Sequence, residues 1–215
     1  MDEALRVREF WFGKSLSGQL PRESLARVAQ ELSQRVSLWF GSDLHSTSQQ
    51  DELIRSEFQG LVERAGRGEL AAWADSPRRR LSLIILFDQF PRQLYRGTAE
   101  AFRYDQEALA LTLSGMQSAA DGALNVIERL FFYMPLQHAE STEVQDESVS
   151  SYKRLLAESP AELRSTFEES FRWAEEHRGL IRQFGRFPHR NRLLGRENTP
   201  EEEVYMKKTG ERFGQ

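Results

Sequence analysis

Six arginines and no acid lie between His177 and Arg196, and this C-terminal segment holds residues whose types and spacing could do chemistry. Arg178, Arg182 and Arg186 follow one another at four-residue intervals. On a helix, like charges at that spacing are destabilising by roughly 0.2–0.5 kcal/mol per pair. Acids from another helix, plain solvent or a bound anion can each offset this repulsion, and the sequence leaves these explanations open.

The second half of the segment combines helix breakers with residues that recognise anions. Gly185 and Pro188 interrupt the helical pattern among arginines, a histidine and an asparagine. Arginine presents a planar fork of N–H donors that binds carboxylates or phosphates bidentately. We therefore predict a polar pocket for a small anionic ligand. Its predicted ligand-binding residues are Arg92, Arg186, His189, Arg190, Asn191 and Arg196.

Asp88 is a candidate acid–base residue outside that segment. It shares a helical stripe with the apolar residue Ile84. An unpaired buried carboxylate is unfavourable by several kcal/mol, so Asp88 needs a partner such as Arg92 or an arginine of the C-terminal segment. Two uses stay open for it, a structural ion pair at the Pro91 turn and a catalytic role.

His138 and Glu140 follow Pro135 and precede a helix start at Thr142, so we place them at a helix junction. A histidine held by a carboxylate can act as a general base, and a hydrolase is therefore an alternative function. Its catalytic candidates are His138, Glu140, Asp88 and His189. A His-x-Glu pair is too short to specify a metal, so no metal site is predicted, and no motif names a cofactor.

Helices are predicted to carry these residues. Apolar residues recur three or four positions apart at 25–36, 53–65 and 163–184, and no segment alternates polar and apolar residues as a strand does. The apolar run 81–90 also has helical spacing, and we expect a buried central helix that stops at Pro91. The fold class is therefore all-α.

Capping chemistry marks three helix starts, each with a hydroxyl and, three positions later, a side chain that can bond back to it. The pairs are Ser159 with Glu162, Thr199 with Glu202 and, more weakly, Thr142 with Gln145. The helix after Ser159 is expected to be the longest. It carries His177 on its apolar stripe, where a histidine is expected to be a hydrogen-bonded core residue.

Composition excludes several classes of protein. The chain has 215 residues, no cysteine and a formal charge of −4, and only four of its 29 cationic residues are lysines. The acidic balance argues against a nucleic-acid or membrane-surface binder, and the lack of cysteine excludes disulfides and thiolate sites. The longest apolar run is far shorter than the ~20 residues that cross a bilayer. Charges near the N-terminus do not fit a secretory signal, so one cytoplasmic domain over 1–215 is expected.

Long ordered motifs run at 81–92, 131–140 and 182–191. Shorter motifs lie at 10–13, 39–40, 95–98, 101–102, 105, 108–109, 145, 177, 194–196 and 199–202. Through these residues the sequence resembles the uncharacterised bacterial family filed as "domain of unknown function 924". The resemblance covers nearly the whole chain.

The resemblance implies a single domain of antiparallel helix hairpins in a tetratricopeptide-like right-handed superhelix, without an established activity. A groove between such hairpins can bind a peptide or protein, which makes a binding scaffold the other alternative function. The chain departs from the family pattern at Gln93, where asparagine is usual, and at Ala139 and Ser141, where His-Ser-Glu-Asp is typical. The missing acid weakens a multi-carboxylate metal site around Glu140.

Overall fold

The apolar periodicity becomes a set of helices, which a computed structural model describes over residues 2–20, 24–40 and 44–209. Within these ranges the backbone is helical or irregular, so the all-α prediction is confirmed. The α-helices are α1 (Glu3–Phe12), α2 (Leu25–Phe40), α3 (Leu44–Gly66), α4 (Pro77–Ile84), α5 (Phe90–Leu94), α6 (Asp105–Gln117), α7 (Val126–Phe132), α8 (Met134–His138), α9 (Thr142–Glu158), α10 (Arg164–Phe184) and α11 (Pro200–Thr209). Among the described helices, none combines the length and apolar character that spanning a bilayer requires.

The predicted central helix forms, and every side chain from 81 to 92 is buried. Its predicted stop at Pro91 is wrong, because the helical path continues through α5 to Leu94. Between α4 and α5 the chain widens into a π-helical turn, Ile85–Gln89, and the amide of Phe90 donates to the carbonyl five residues earlier. Proline has no N–H and its ring clashes with the carbonyl of residue i−4, so a widened turn lets the helix pass through it.

Aromatic side chains from distant parts of the chain make the main core. The ring of Trp11 lies 6.1 Å from Trp39, 5.8 Å from Phe90 and 5.4 Å from Phe131. A second and smaller apolar cluster brings Phe187 together with the end of α10 and with α11. The C-terminal segment therefore needs further contacts to hold it on the rest of the molecule.

The consecutive helices α9 and α10 pack against each other more extensively than any other pair of described elements, as a helix hairpin does. The tetratricopeptide-like superhelix and the domain extent 1–215 stay predictions. α10 has 21 residues and α3 has 23, so the expectation that the helix after Ser159 is the longest is wrong.

Two of the three predicted capping sites differ from the structure. The box at Thr199 is confirmed: the amide of Glu202 donates to Thr199 Oγ1 at 3.2 Å, and the amide of Thr199 donates to the Glu202 carboxylate at 2.7 Å. Ser159 instead donates its hydroxyl to the carbonyl of Leu156 at the end of α9. Ser159 therefore does not cap the following helix. α10 begins only at Arg164, after a short 3₁₀ turn.

The third predicted cap, Thr142, lies one residue inside its helix. Ser141 is the N-cap of α9, and its Oγ accepts a hydrogen bond from the amide of Val144. The amide side chain of Gln145 instead donates to backbone carbonyls at the end of α8. Ser141 was one of the positions where the sequence departs from the family pattern.

Candidate functional site

Asp88 and His138 are brought together from two helical segments that are 50 residues apart in sequence. His138 Nδ1 lies 2.6 Å from Asp88 Oδ1. The Asp88 side chain is completely buried, whereas 15% of the His138 side chain is exposed. An ionised carboxylate can only accept, so Nδ1 carries the hydrogen and Nε2 carries the lone pair. Of the predicted histidine–carboxylate pairs, this one forms in the structure.

Burial and neighbouring charges set the protonation state of this pair. Burial by itself raises the pKa of Asp88, but it is outweighed by the charge that His138 carries once it is protonated in acid, by the charge of Arg92 and by hydrogen bonds from His138 and Gln89, which together hold the pKa below its ordinary value. Burial lowers the pKa of His138, and Arg92 lowers it further, although Asp88 opposes them. At pH 7 the pair is therefore an ionised carboxylate beside a neutral imidazole, which is the state a general base requires.

Two arginines meet at the carboxylate of Asp105, in the first turn of α6. Arg92 donates Nη1 to Oδ1 at 2.9 Å and Nη2 to Oδ2 at 3.0 Å, and Arg190 donates Nη1 to Oδ2 at 3.1 Å. Arg92 Nη1 also donates to the backbone carbonyl of Asp88 at 2.6 Å and lies 3.6 Å from its carboxylate. The predicted pairing of Asp88 with Arg92 is thus present. We call Asp88, Arg92, Asp105, His138 and Arg190 the inner cluster.

Arg190 lies between two aromatic rings. Its Cζ is 4.7 Å from the ring centre of Phe102 and 4.6 Å from that of Phe187, and only 8% of its side chain is exposed. Burial lowers the pKa of Arg190 to about 10. Within the described residues, its buried Nε has no hydrogen-bond acceptor. Arg190 shares the carboxylate of Asp105 with Arg92, which also lies 3.6 Å from the carboxylate of Asp88, so the unsatisfied feature of Arg190 is its Nε donor.

Arg186 is held by an acid of the protein itself. Its Nε and Nη2 donate to the two carboxylate oxygens of Glu202 at 2.7 and 2.8 Å. Asn191 Nδ2 donates to the same carboxylate at 3.2 Å. The hydrogen bonds from Arg186 lower the pKa of Glu202 to about 2, although burial opposes them. Arg186 and Asn191 therefore fasten α11 to the turn after α10.

Arg196 makes the corresponding contact with Glu140. Its Nη1 and Nη2 donate to the two Glu140 oxygens at 2.7 and 2.9 Å, and its Nε donates to Asn191 Oδ1 at 2.9 Å. The amide of Phe187 donates to Glu140 Oε1 at 2.8 Å. Both oxygens of Glu140 are thus engaged by the C-terminal segment. We call Glu140, Arg186, Asn191, Arg196 and Glu202 the outer network.

Acids from other helices balance Arg178 and Arg182 on α10 and Arg186 in the turn that follows it. Asp146 on α9 lies 2.7 Å from Arg182 and 3.6 Å from Arg178. Glu202 on α11 balances Arg186. Of the explanations that the sequence left open, the one that invokes acids from other helices is confirmed at these three positions.

The remaining histidines of the region surround Phe187. His177 Nδ1 donates to the carbonyl of Trp173 at 2.7 Å, as expected for a hydrogen-bonded core histidine, and its ring centre lies 6.4 Å from that of His138 and 5.5 Å from that of Phe187. The His189 ring lies 5.5 Å from Phe187. Burial lowers the pKa of both His177 and His189 to about 3. Within the described residues, no group of three or more histidine or acidic side chains has the arrangement that a metal ion needs.

Sequence reasoning missed Asp105 and Phe102 as members of the site. An acid in the first turn of a helix has an ordinary explanation, since it stabilises the positive end of the helix dipole. Asp105 occupies such a position, so neither its type nor its place signalled a partner 85 residues away. Both residues belong to short motifs of the family resemblance, but those motifs did not indicate the role of Phe102, because stacking on a guanidinium depends on tertiary contacts.

A family model described as "Bacterial protein of unknown function (DUF924)" matches residues 7–210. The chain belongs to the DUF924 family. This DUF924 protein is also similar to a solved structure, that of the protein of unknown function ATU0120 from Agrobacterium tumefaciens. The two are 32% identical, the match covers 87% of this chain and 99% of that chain, and the TM-score is 0.68. No curated protein matches the chain. The predicted family is confirmed, and the function has to be argued from the site.

Proposed function

We propose that this DUF924 protein is a hydrolase that acts on a small anionic substrate, with His138 as its general base. The observation that carries the proposal is the 2.6 Å contact between His138 Nδ1 and the fully buried Asp88 carboxylate. Asp88 lies in the π-helical turn, a distortion of the helix that is found frequently at functional sites. The exposed part of the imidazole leaves it a route to a substrate.

In the proposed reaction Asp88 holds the Nδ1–H tautomer, so that Nε2 is free to accept a proton. Nε2 of His138 removes a proton from a water molecule as the water oxygen attacks the scissile bond. The same proton then passes from Nε2 to the leaving group, which returns the imidazole to its neutral form. A positioned base of this kind accelerates a reaction by about 10²–10⁴-fold.

Arg190 supports the anionic character of the substrate. Its Nε is buried and lacks an acceptor among the described residues, and its charge shares the single carboxylate of Asp105 with Arg92. The Nε side of a guanidinium is suited to a carboxylate, as Arg186 shows: its Nε and Nη2 donate to the two oxygens of Glu202. A substrate carboxylate or phosphate would give the Nε of Arg190 an acceptor.

The other predicted ligand-binding residues are less favourable for this role. Arg92, Arg186 and Arg196 each donate to a carboxylate of the protein through two nitrogens. Releasing Arg186 or Arg196 for a ligand would leave Glu202 or Glu140 without its arginine, and releasing Arg92 would break its two-nitrogen contact with Asp105. Ligand binding at His189 and Asn191 stays a prediction, as do the peptide- or protein-binding scaffold and the cytoplasmic location.

The test is a panel of chromogenic carboxylate esters, amides and phosphate monoesters, each prepared as a pair with and without an anionic group next to the scissile bond. His138→Asn keeps an amide N–H in the place of Nδ1 but removes the base, so it should fold and lose activity by about 10²–10⁴-fold. His177→Asn is the matched control, because its amide can keep the bond to the Trp173 carbonyl. It should retain most of the activity.

Arg190→Lys tests the substrate class. Lysine keeps the positive charge but loses the Nε edge, so KM should rise for the anionic member of a pair and stay the same for the neutral member. If the unmodified protein hydrolyses no member of the panel, or His138→Asn keeps its activity, the hydrolase proposal is wrong. If Arg190→Lys changes KM equally for both members of a pair, the anionic substrate is wrong.

A further inference from the structure

Gln145 connects α9 to the end of α8, the short helix that carries His138. Its side chain is completely buried. The carboxamide nitrogen Nε2 donates to three backbone carbonyls, those of Leu136 at 3.2 Å, Gln137 at 2.7 Å and Ala139 at 2.9 Å. A single side chain thus satisfies the acceptors on both sides of His138.

α8 needs such an external contact. It has only five residues and includes a proline. The last carbonyls of a helix have no partner within it, and a helix of this length is not stable by itself. The direction of the His138 side chain therefore depends on what binds the end of α8, and Gln145 is the side chain that does so.

We propose that Gln145 is a positioning residue, which aligns His138 Nδ1 with the Asp88 carboxylate by holding the end of α8. Its importance for catalysis rests on the proposed function, whereas its effect on the His138–Asp88 contact does not. Sequence reasoning assigned Gln145 to a capping box with Thr142. Because Ser141 caps α9 instead, the amide of Gln145 is available to α8.

The two halves of the Gln145 amide differ in a way that supports this role. Nε2 makes all three contacts, whereas Oε1 is buried and has no donor among the described residues. The position therefore requires a donor. A glutamate there would place carboxylate oxygens against three carbonyl oxygens, and methionine would fill the space without donating.

The experiment compares Gln145→Met with Thr112→Val. Thr112 is a matched control, because its buried hydroxyl also donates to a helix carbonyl, that of Phe132 at 2.9 Å, and valine has nearly the same shape. Both substitutions should lower stability. Only Gln145→Met should lower the pKa of His138 further, because the contact with Asp88 that raises it is lost, and reduce the population of the Nδ1–H tautomer, as followed by ¹H–¹⁵N NMR of the imidazole.

Hydrolysis supplies an independent measurement. Loss of a partner that orients a functional histidine lowers activity by about 10–100-fold, and in Gln145→Met the loss should fall on kcat more than on KM. If the His138 titration and tautomer are the same in Gln145→Met and the unmodified protein, the positioning role is wrong. If they change while the unmodified protein hydrolyses nothing, the positioning role stands and the hydrolase proposal fails.

Exchange of the Gln145 side-chain amide protons gives a test in the unmodified protein. Protons of a completely buried amide that bond to three backbone carbonyls should exchange slowly with solvent. Should Gln145→Met not fold, this measurement decides, since rapid exchange would contradict the contacts on which the proposal rests.

Discussion

The inner cluster and the outer network both join arginines to carboxylates but pair them differently. In the outer network, Glu140 and Glu202 each receive two nitrogens of one arginine. In the inner cluster, Asp105 is shared by two arginines. In the same cluster, one oxygen of Asp88 accepts a hydrogen bond from Nδ1 of the neutral His138 imidazole, and Nε2 of that ring keeps its lone pair. A carboxylate held by two nitrogens of one arginine fastens a segment, whereas the inner cluster leaves the Nε donor of Arg190 and the Nε2 lone pair of His138 for a ligand.

This difference changes the meaning of the arginine-rich segment. The sequence suggested one function for all its arginines, an anion site. In the structure Arg186 and Arg196 hold the C-terminal segment in place, and Arg190 reaches the inner cluster. Variants in the two regions should therefore affect different properties, and this separation can be tested.

Asp88→Asn should produce the largest effect. An asparagine at this place no longer stabilises the Nδ1–H tautomer or an imidazolium at His138, so kcat on any substrate of the panel should fall by about 10²–10⁴-fold. Asp146→Asn is the control, since Asp146 is an exposed partner of Arg182. An equal loss of kcat in both variants would remove the distinction between the inner cluster and surface ion pairs.

Glu202→Gln should lower the free energy of unfolding by about 1–3 kcal/mol, because the charged acceptor for Arg186 and Asn191 is lost. Urea denaturation measures this change. Glu203→Gln, at an exposed neighbouring position 3.8 Å from Lys207, should change it by less than about 0.5 kcal/mol. Neither variant should alter kcat. A large loss of kcat in Glu202→Gln would mean that the outer network also contributes to catalysis, which contradicts the proposed separation.

The pH dependence of stability should come from the histidines beside the inner cluster. Burial holds the pKa of His177 and His189 at about 3 in the folded protein. Below pH 6.5 the unfolded chain binds protons that these folded histidines do not. Their contribution is complete above that pH and falls by up to about 1.4 kcal/mol per pH unit for each histidine as the pH drops toward 3.

Urea denaturation between pH 7.5 and 5 checks this slope. Glu202, with a folded pKa of about 2, stabilises the protein fully above the unfolded pKa of glutamate, near 4.5, and loses this effect only as the pH falls toward 2. The outer network therefore adds no slope in this window. His177→Asn should make the slope shallower, and an unchanged slope would mean that His177 is protonated in the folded protein.

Much of the fold followed from local patterns. The helical stripes at 25–36 and 53–65 and the capping box at Thr199 are present as predicted, since each depends on residues within a few turns of one another. The errors arose where tertiary contacts override local preference. The helix path through Pro91 needed a π-helical turn, and Ser159 bonded to the preceding helix.

In the candidate site, too, residue types could be chosen from the sequence but their partners could not. From sequence, Asp88, His138 and Arg190 could be chosen as residues whose types suit chemistry. The sequence could not distinguish Asp88 from Glu140 as the partner of His138, although Glu140 is two residues from it and Asp88 is 50 residues away. Gln145 and Asp105 stood out only as positions of the family pattern and, for Gln145, as part of a predicted capping box.

The amino-acid sequence by itself determined that this protein is helical, which residues face the core and which charged groups are available. Periodicity specifies the faces of a helix, and capping chemistry specifies its ends, because both act over a few residues. Only the tertiary structure decided which carboxylate each arginine meets and which histidine keeps a partner. Those pairings depend on distances between helices that are far apart in the chain, and a shift of one turn, about 5.4 Å, would replace every one of them.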